Sequence, residues 1–310
     1  MLLCLLAAVA FSSSTVFGRL ALDDGAGVMT ILALRYSGAA LLFWALVGVL
    51  RLPLPGRRAA LQVFALGAFA MALQAVLFFS ALARLDAGLV TLLLYTFPAM
   101  VAVGSIMIGR EQPSRRKIGA VAVATAGAAL VLLGDAAVRA DIVGVLLALG
   151  AAAGVVVWLL AGDHLLRTIP PLVFSAIAAT GASVTFWLFG TGMGSIAFEY
   201  GAVGWGAILG TVLISTGLAI STSMAGMARV GPTVASVLLT VEVPLAVTWA
   251  IVLLGEELQP MQLAGGALVV LAILLLQAPA FRWPGRRLAR YAPTGRAART
   301  TLTGQSPPAP

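Results

Sequence analysis

Glu242 is the acidic residue that lies deepest within an apolar segment of this chain. It is the eleventh residue of the apolar stretch 232–254, which at 1.5 Å per helical residue places it about 15 Å from the start of that stretch. A carboxylate at that depth in a membrane costs about 2.5–3.5 kcal/mol, so we expect the side chain to face the protein interior. It could carry a coupling proton or bind a substrate amine; alternatively, it could close a structural hydrogen bond with backbone that Pro244 leaves free.

Four further polar residues interrupt apolar stretches at intermediate depth: Arg35, Gln74, Tyr95 and Thr96. The Arg35 guanidinium could hold a carboxylate through two hydrogen bonds, or it could extend toward the lipid headgroups. Gln74, Tyr95 and Thr96 could orient a substrate by hydrogen bonds, although such side chains also hold membrane helices together. With Glu242, these four residues form the predicted substrate-binding set.

Two prolines lie in the middle of apolar stretches, Pro98 in 87–109 and Pro244 in 232–254. A proline inside a helix removes one backbone hydrogen bond and bends the helix. We therefore predict a gate or a helix kink at each of them. Packing is the alternative, since proline is also common in membrane helices without such a role.

The residues that most enzymes and metal sites need are scarce in this sequence. It contains one cysteine, Cys4, and one histidine, His164, which excludes a disulfide framework and leaves no spacing for zinc. A Gly-rich phosphate loop of the Walker type is also missing, so ATP is not the direct energy source. We expect no catalytic residues, no metal and no cofactor.

The elements that position these residues are membrane helices. Hydrophobic residues make up 61% of the 310 positions and charged residues only 10%, whereas a soluble domain is about 25% charged. Each apolar run is near the roughly 20 residues that a helix needs to cross the hydrocarbon core, and none alternates as a barrel strand would. The ten runs lie near residues 2–22, 28–50, 60–82, 87–109, 117–134, 142–161, 171–191, 202–228, 232–254 and 262–280.

The basic residues predict the orientation of these helices. Loops after the second, fourth, sixth and eighth helices carry three, four, one and one Lys or Arg, and the tail after residue 280 carries six. The opposite loops carry only Arg19, Arg84 and Arg139. Basic loops stay in the cytoplasm, so we expect a multi-pass inner-membrane protein with both termini cytoplasmic. The net charge of +8 therefore reflects orientation, and we expect no nucleic-acid partner.

The two halves of the sequence resemble each other. At an offset of 146 residues, Leu92-Leu93 aligns with Leu238-Leu239, Pro98 with Pro244, Glu111 with Glu257 and Gly119 with Gly265. Five helices is an odd number, so the second copy enters the membrane with the opposite orientation. The prediction is an all-α integral membrane protein whose ten transmembrane helices form two inverted five-helix repeats, an arrangement typical of alternating-access carriers.

Two motifs in the second half carry a resemblance to a known family. Glu242-Val243-Pro244 and the run Leu254-Gly255-Glu256-Glu257-Leu258, followed by Gln262 and Gly265, resemble signatures of the EamA-like branch of the drug/metabolite transporter superfamily, as does Arg35. The first copy departs from this pattern, because Arg110 stands where Glu256 stands in the second and Thr96 replaces the glutamate.

The resemblance implies one EamA-like five-helix repeat in residues 1–134 and a second in 142–280. Residues 281–310 are expected to form a basic, disordered cytoplasmic tail. The implied function is secondary transport of a small organic metabolite such as an amino acid, by alternating access through a central cavity, with export as the predicted direction. A lipid or lipid-linked-sugar flippase is the alternative, and a membrane-embedded enzyme is a third, weaker one. We expect a monomer or a homodimer, coupled either to protons or to the solute gradient.

Overall fold

The computed structural model describes residues 1–109, 112, 114–133, 141–166, 168–230 and 238–277. Within these residues every regular element is helical, and no strand occurs. A helix satisfies all its backbone hydrogen bonds within one segment, which is what an apolar chain in lipid requires. The predicted tail 281–310, Arg110 and Glu111 lie outside the described residues.

The described residues of the first half form five helices. They are α1 (Leu2–Asp23), α2 (Val28–Val49), α3 (Arg57–Leu82), α4 (Ala87–Met107) and α5 (Arg115–Leu133). The second half begins with α6 (Ile142–Leu166) and α7 (Pro171–Gly192). It continues with α8, built from Ala202–Val212, Leu213–Leu218 and Ala219–Val230, and with α9 (Glu242–Leu254) and α10 (Pro260–Gln277).

Eight of these helices, α1 to α8, are long and apolar enough to cross a membrane. The described parts of α9 and α10 are shorter apolar helices. Large apolar side chains such as Leu41, Phe69 and Leu188 are exposed around the bundle, as expected of helices that face lipid. The chain is therefore an all-helical, multi-pass membrane protein.

Two helices contain a short π-helical segment, Gly67–Met71 in α3 and Leu213–Leu218 in α8. A π-helical turn shifts the register of the helix, and such turns are frequent at functional sites. Both segments pack closely against a neighbouring helix. A Cβ atom on Gly67 would clash with the backbone of Ala178 in α7, and one on Gly217 would clash with the side chain of Leu42 in α2.

The helices that contain the two prolines are interrupted near the middle of the bundle. In α4 the α-helix ends at Leu94 and resumes at Phe97, so Pro98 lies in the first turn of the second segment. Thr240 and Val241 form a turn that separates the helical residues Leu238 and Leu239 from the start of α9 at Glu242. Pro244 has no backbone N–H and cannot donate to the Thr240 carbonyl. That carbonyl accepts a hydrogen bond from the Val243 amide at 3.2 Å. Each proline thus follows a break in its helix.

Candidate functional site

A polar cavity lies where α1, α2, α3 and α4 of the first half meet α9 of the second half. Its volume is about 160 Å³. Four of the five predicted substrate-binding residues line it, each from a different helix: Arg35 from α2, Gln74 from α3, Tyr95 from α4 and Glu242 from α9. Residues distant in sequence therefore converge on one space that is lined by both a cation and an acid.

Arg35 is held in place by hydroxyl groups and aromatic rings. Its Nε donates to the Thr216 hydroxyl at 3.3 Å, and Nη1 donates to the Ser14 hydroxyl at 3.1 Å. The guanidinium carbon lies 5.9 Å from the centre of the Tyr36 ring and 5.6 Å from that of Phe79, within the range of cation–π attraction. Two of its five N–H donors are used by these bonds.

No carboxylate pairs with Arg35 within the described part of the chain. Arg35 is half-buried, and removing an unpaired charge from water costs free energy. Arg35 lines the cavity and keeps unused donors, so the arrangement suits an anionic group that enters with a ligand.

Glu242 and Tyr95 meet between two cavities. Both residues line the polar cavity. Both also line a second, larger cavity of about 590 Å³ between α4, α9 and α10, which extends to Lys117 at the start of α5. The pair therefore lies at the boundary between the polar cavity and the larger one.

Thr96 does not join the other four predicted residues. It lines an apolar cavity of about 620 Å³ between α4, α5 and α6, and its hydroxyl donates to the Leu93 carbonyl at 2.8 Å. Successive residues of a helical turn point in directions about 100° apart, so Thr96 cannot face the same space as Tyr95. Its hydroxyl satisfies local backbone instead.

The sequence analysis missed several polar residues of the cavity. Ser12, Ser14 and Thr15 of α1 and Thr91 of α4 line it. Ser12 also accepts a bond from the Trp249 indole at 3.0 Å, and Ser13 bonds with Ser215 at 2.9 Å, which ties α1 to the second half. The signal was the run of four hydroxyl residues from Ser12 to Thr15 within an otherwise apolar helix.

Comparisons with known proteins agree with this architecture. The model of the EamA-like transporter family matches residues 1–133 and again residues 142–277. A solved crystal structure with 19% sequence identity superposes on 90% of this chain and on 96% of its own chain, with a TM-score of 0.61, so the two share a fold. No curated protein matches the sequence. The chain therefore belongs to the EamA-like transporter family, and it is a multi-pass membrane transporter of small molecules.

Proposed function

We propose that this chain is a secondary carrier that exports a small zwitterionic metabolite of the amino-acid type. The observation that carries this proposal is that Arg35 and Glu242 line one cavity where the two halves meet. A guanidinium recognises a carboxylate, and an acid on another wall can accept an ammonium group. Gln74 and Tyr95 add hydrogen bonds that orient the ligand.

Alternating access follows from two inverted five-helix repeats, residues 1–134 and 142–280, with ten membrane-spanning helices. The π-helical segments start at Gly67 and Leu213, 146 residues apart, which is the offset that aligns Pro98 with Pro244. The break in α4 at Tyr95 and Thr96 and the turn before α9 at Thr240 and Val241 also match to within one residue. These pairs support a common origin of the halves, and we propose that the breaks are hinges around the substrate site.

A ligand panel tests the substrate class. Purified protein should be stabilised against heating by amino acids, and much less by matched compounds that carry only the carboxylate or only the amine. A bound ligand raises the melting temperature in proportion to the logarithm of its concentration over Kd. Counterflow in proteoliposomes, where unlabelled internal ligand drives uptake of labelled ligand, should follow the same ranking. Stabilisation by lipids or lipid-linked sugars in place of amino acids would favour the flippase alternative.

The orientation is tested by reporter fusions. Fusions after residues 56, 114 and 290 should report a cytoplasmic location, and fusions near residues 24 and 138 should report the outside, because the basic loops remain in the cytoplasm. Alkaline phosphatase and a fluorescent protein, which are active on opposite sides, provide mutual controls. An outside signal at 290 together with a cytoplasmic signal at 24 would reverse the orientation.

A further inference from the structure

Glu256 joins the two halves of the transporter at the end of the bundle that we assign to the outside. It follows α9, while its carboxylate accepts bonds from two backbone amides at the start of α4: Ala87 at 2.6 Å and Gly88 at 2.8 Å. Free amides at a helix start carry partial positive charge and bind an anion well. A carboxylate of the second half therefore caps a helix of the first.

The backbone around Glu256 aims its side chain at α4. Gly255 ends α9 in a left-handed conformation with φ of +69°, which glycine adopts readily, and the Glu256 amide donates to the Ala250 carbonyl at 3.2 Å. On the other side of the contact, a Cβ atom on Gly88 would lie 3.1 Å from Leu258 and 3.2 Å from the Glu256 carboxylate. A larger residue at position 88 would therefore press on this contact.

The same turn between α3 and α4 is held by two other charged residues. Arg19 of α1 donates to the carbonyls of Leu82 and Leu85, both at 3.3 Å, and Arg84 pairs with Asp141 at 3.0 Å. The Arg84–Asp141 pair is largely exposed and contributes little. Burial raises the pKa of the half-buried Glu256 carboxylate, and the bonds from the Gly88 and Ala87 amides oppose that shift.

A larger cavity lies toward the opposite end of the bundle. The cavity of about 590 Å³ that begins at Tyr95 and Glu242 reaches Lys117, at the end that carries the basic loops. The Glu256 contact lies at the outer end, and the larger cavity lies on the inner side of the polar site. This asymmetry fits the outward-closed state of an alternating-access carrier.

We propose that Glu256 is the latch of the outer gate, and that its contact with the start of α4 must break each time the polar cavity opens to the outside. This inference rests on the alternating access proposed above. The latch stabilises the outward-closed state, because the two halves separate at this end when the carrier opens. Glutamine at this position keeps one acceptor oxygen but places an amide donor against a backbone N–H, which weakens the contact.

Thiol labelling tests the latch without any substrate. Cys4→Ala removes the cysteine of the native sequence, and Ala246→Cys places a new one in the buried wall of the polar cavity. Glu256→Gln should raise the rate of labelling by a membrane-impermeant reagent added outside by about tenfold, and it should slow labelling from the cytoplasmic side of inverted vesicles. Glu257→Gln is the matched control, since it makes the same change at the adjacent, exposed residue and should leave both rates unchanged.

Equal outside labelling of the Glu256→Gln and Glu257→Gln proteins, both recovered as folded species, would overturn the latch. If Glu256→Gln is not recovered folded, Gly88→Ala replaces it, because the added methyl group presses on the Glu256 carboxylate and on Leu258 and should produce the same increase. The outcome is independent of the ligand panel. A ligand-binding protein with unchanged labelling would contradict the latch alone, and faster labelling without ligand binding would contradict the substrate class alone.

Discussion

Glu242→Gln should abolish pH-driven uptake by the reconstituted transporter while its folding and membrane insertion stay intact. Glutamine keeps the shape of the side chain and most of its hydrogen bonding, but it cannot exchange a proton. Glu242 lines both the polar cavity and the larger inner cavity, so a proton bound there could pass from one to the other. Counterflow at equal pH and pH-driven uptake should be measured on the same preparation, and we expect the pH-driven mode to fail first.

Two other outcomes separate proton coupling from the ammonium contact proposed above and from a purely structural role. If it binds the substrate amine, glutamine should weaken affinity, and counterflow at equal pH should also decline. Unchanged pH dependence together with unchanged affinity would leave only a structural role. Glu199→Gln is the matched control, because Glu199 is exposed in the connection before α8 and its loss changes the net charge equally.

The helices could be predicted from the sequence because lipid leaves an apolar chain few alternatives. The predicted stretches 2–22, 28–50 and 171–191 correspond to Leu2–Asp23, Val28–Val49 and Pro171–Gly192. Apolar length and flanking turn residues determine these bounds locally. The π-helical segments could not be predicted in this way, since Gly67 and Gly217 take their role from close contacts with α7 and α2.

The site was predictable only in part. Arg35, Gln74 and Glu242 were recognised because a polar group in an apolar helix needs a partner or a function. The rotation of each helix about its axis decides which of these residues share a cavity. Thr96 therefore lines a different cavity from Tyr95. In the sequence, Glu256 stood out only as part of a family motif. Its partners, the Ala87 and Gly88 amides, lie about 170 residues away, so only the fold shows them.

Arg35→Gln should lower the affinity for an amino-acid substrate by about tenfold to hundredfold, the range expected when a hydrogen bond to a charged group is lost. The glutamine amide is neutral and cannot offer a carboxylate the paired N–H donors of a guanidinium. Arg35→Lys keeps the charge but lacks the planar fork that reaches both Ser14 and Thr216, so its affinity should be intermediate. Kd is measured by titration calorimetry with the best ligand of the panel.

A ligand without a carboxylate separates recognition from packing. If Arg35 binds the carboxylate, the matched amine should bind the Arg35→Gln protein as weakly as it binds the unaltered transporter, and the preference for the zwitterion should disappear. If Arg35 only braces α1 and α8 through Ser14 and Thr216, both ligands should lose affinity by the same factor and the melting temperature should fall without ligand. Arg58→Gln, at an exposed residue in the first turn of α3, removes a charge away from the cavity and should change neither affinity. Equal losses for the two ligands would therefore remove Arg35 from the recognition site and leave Glu242 as its principal charged group.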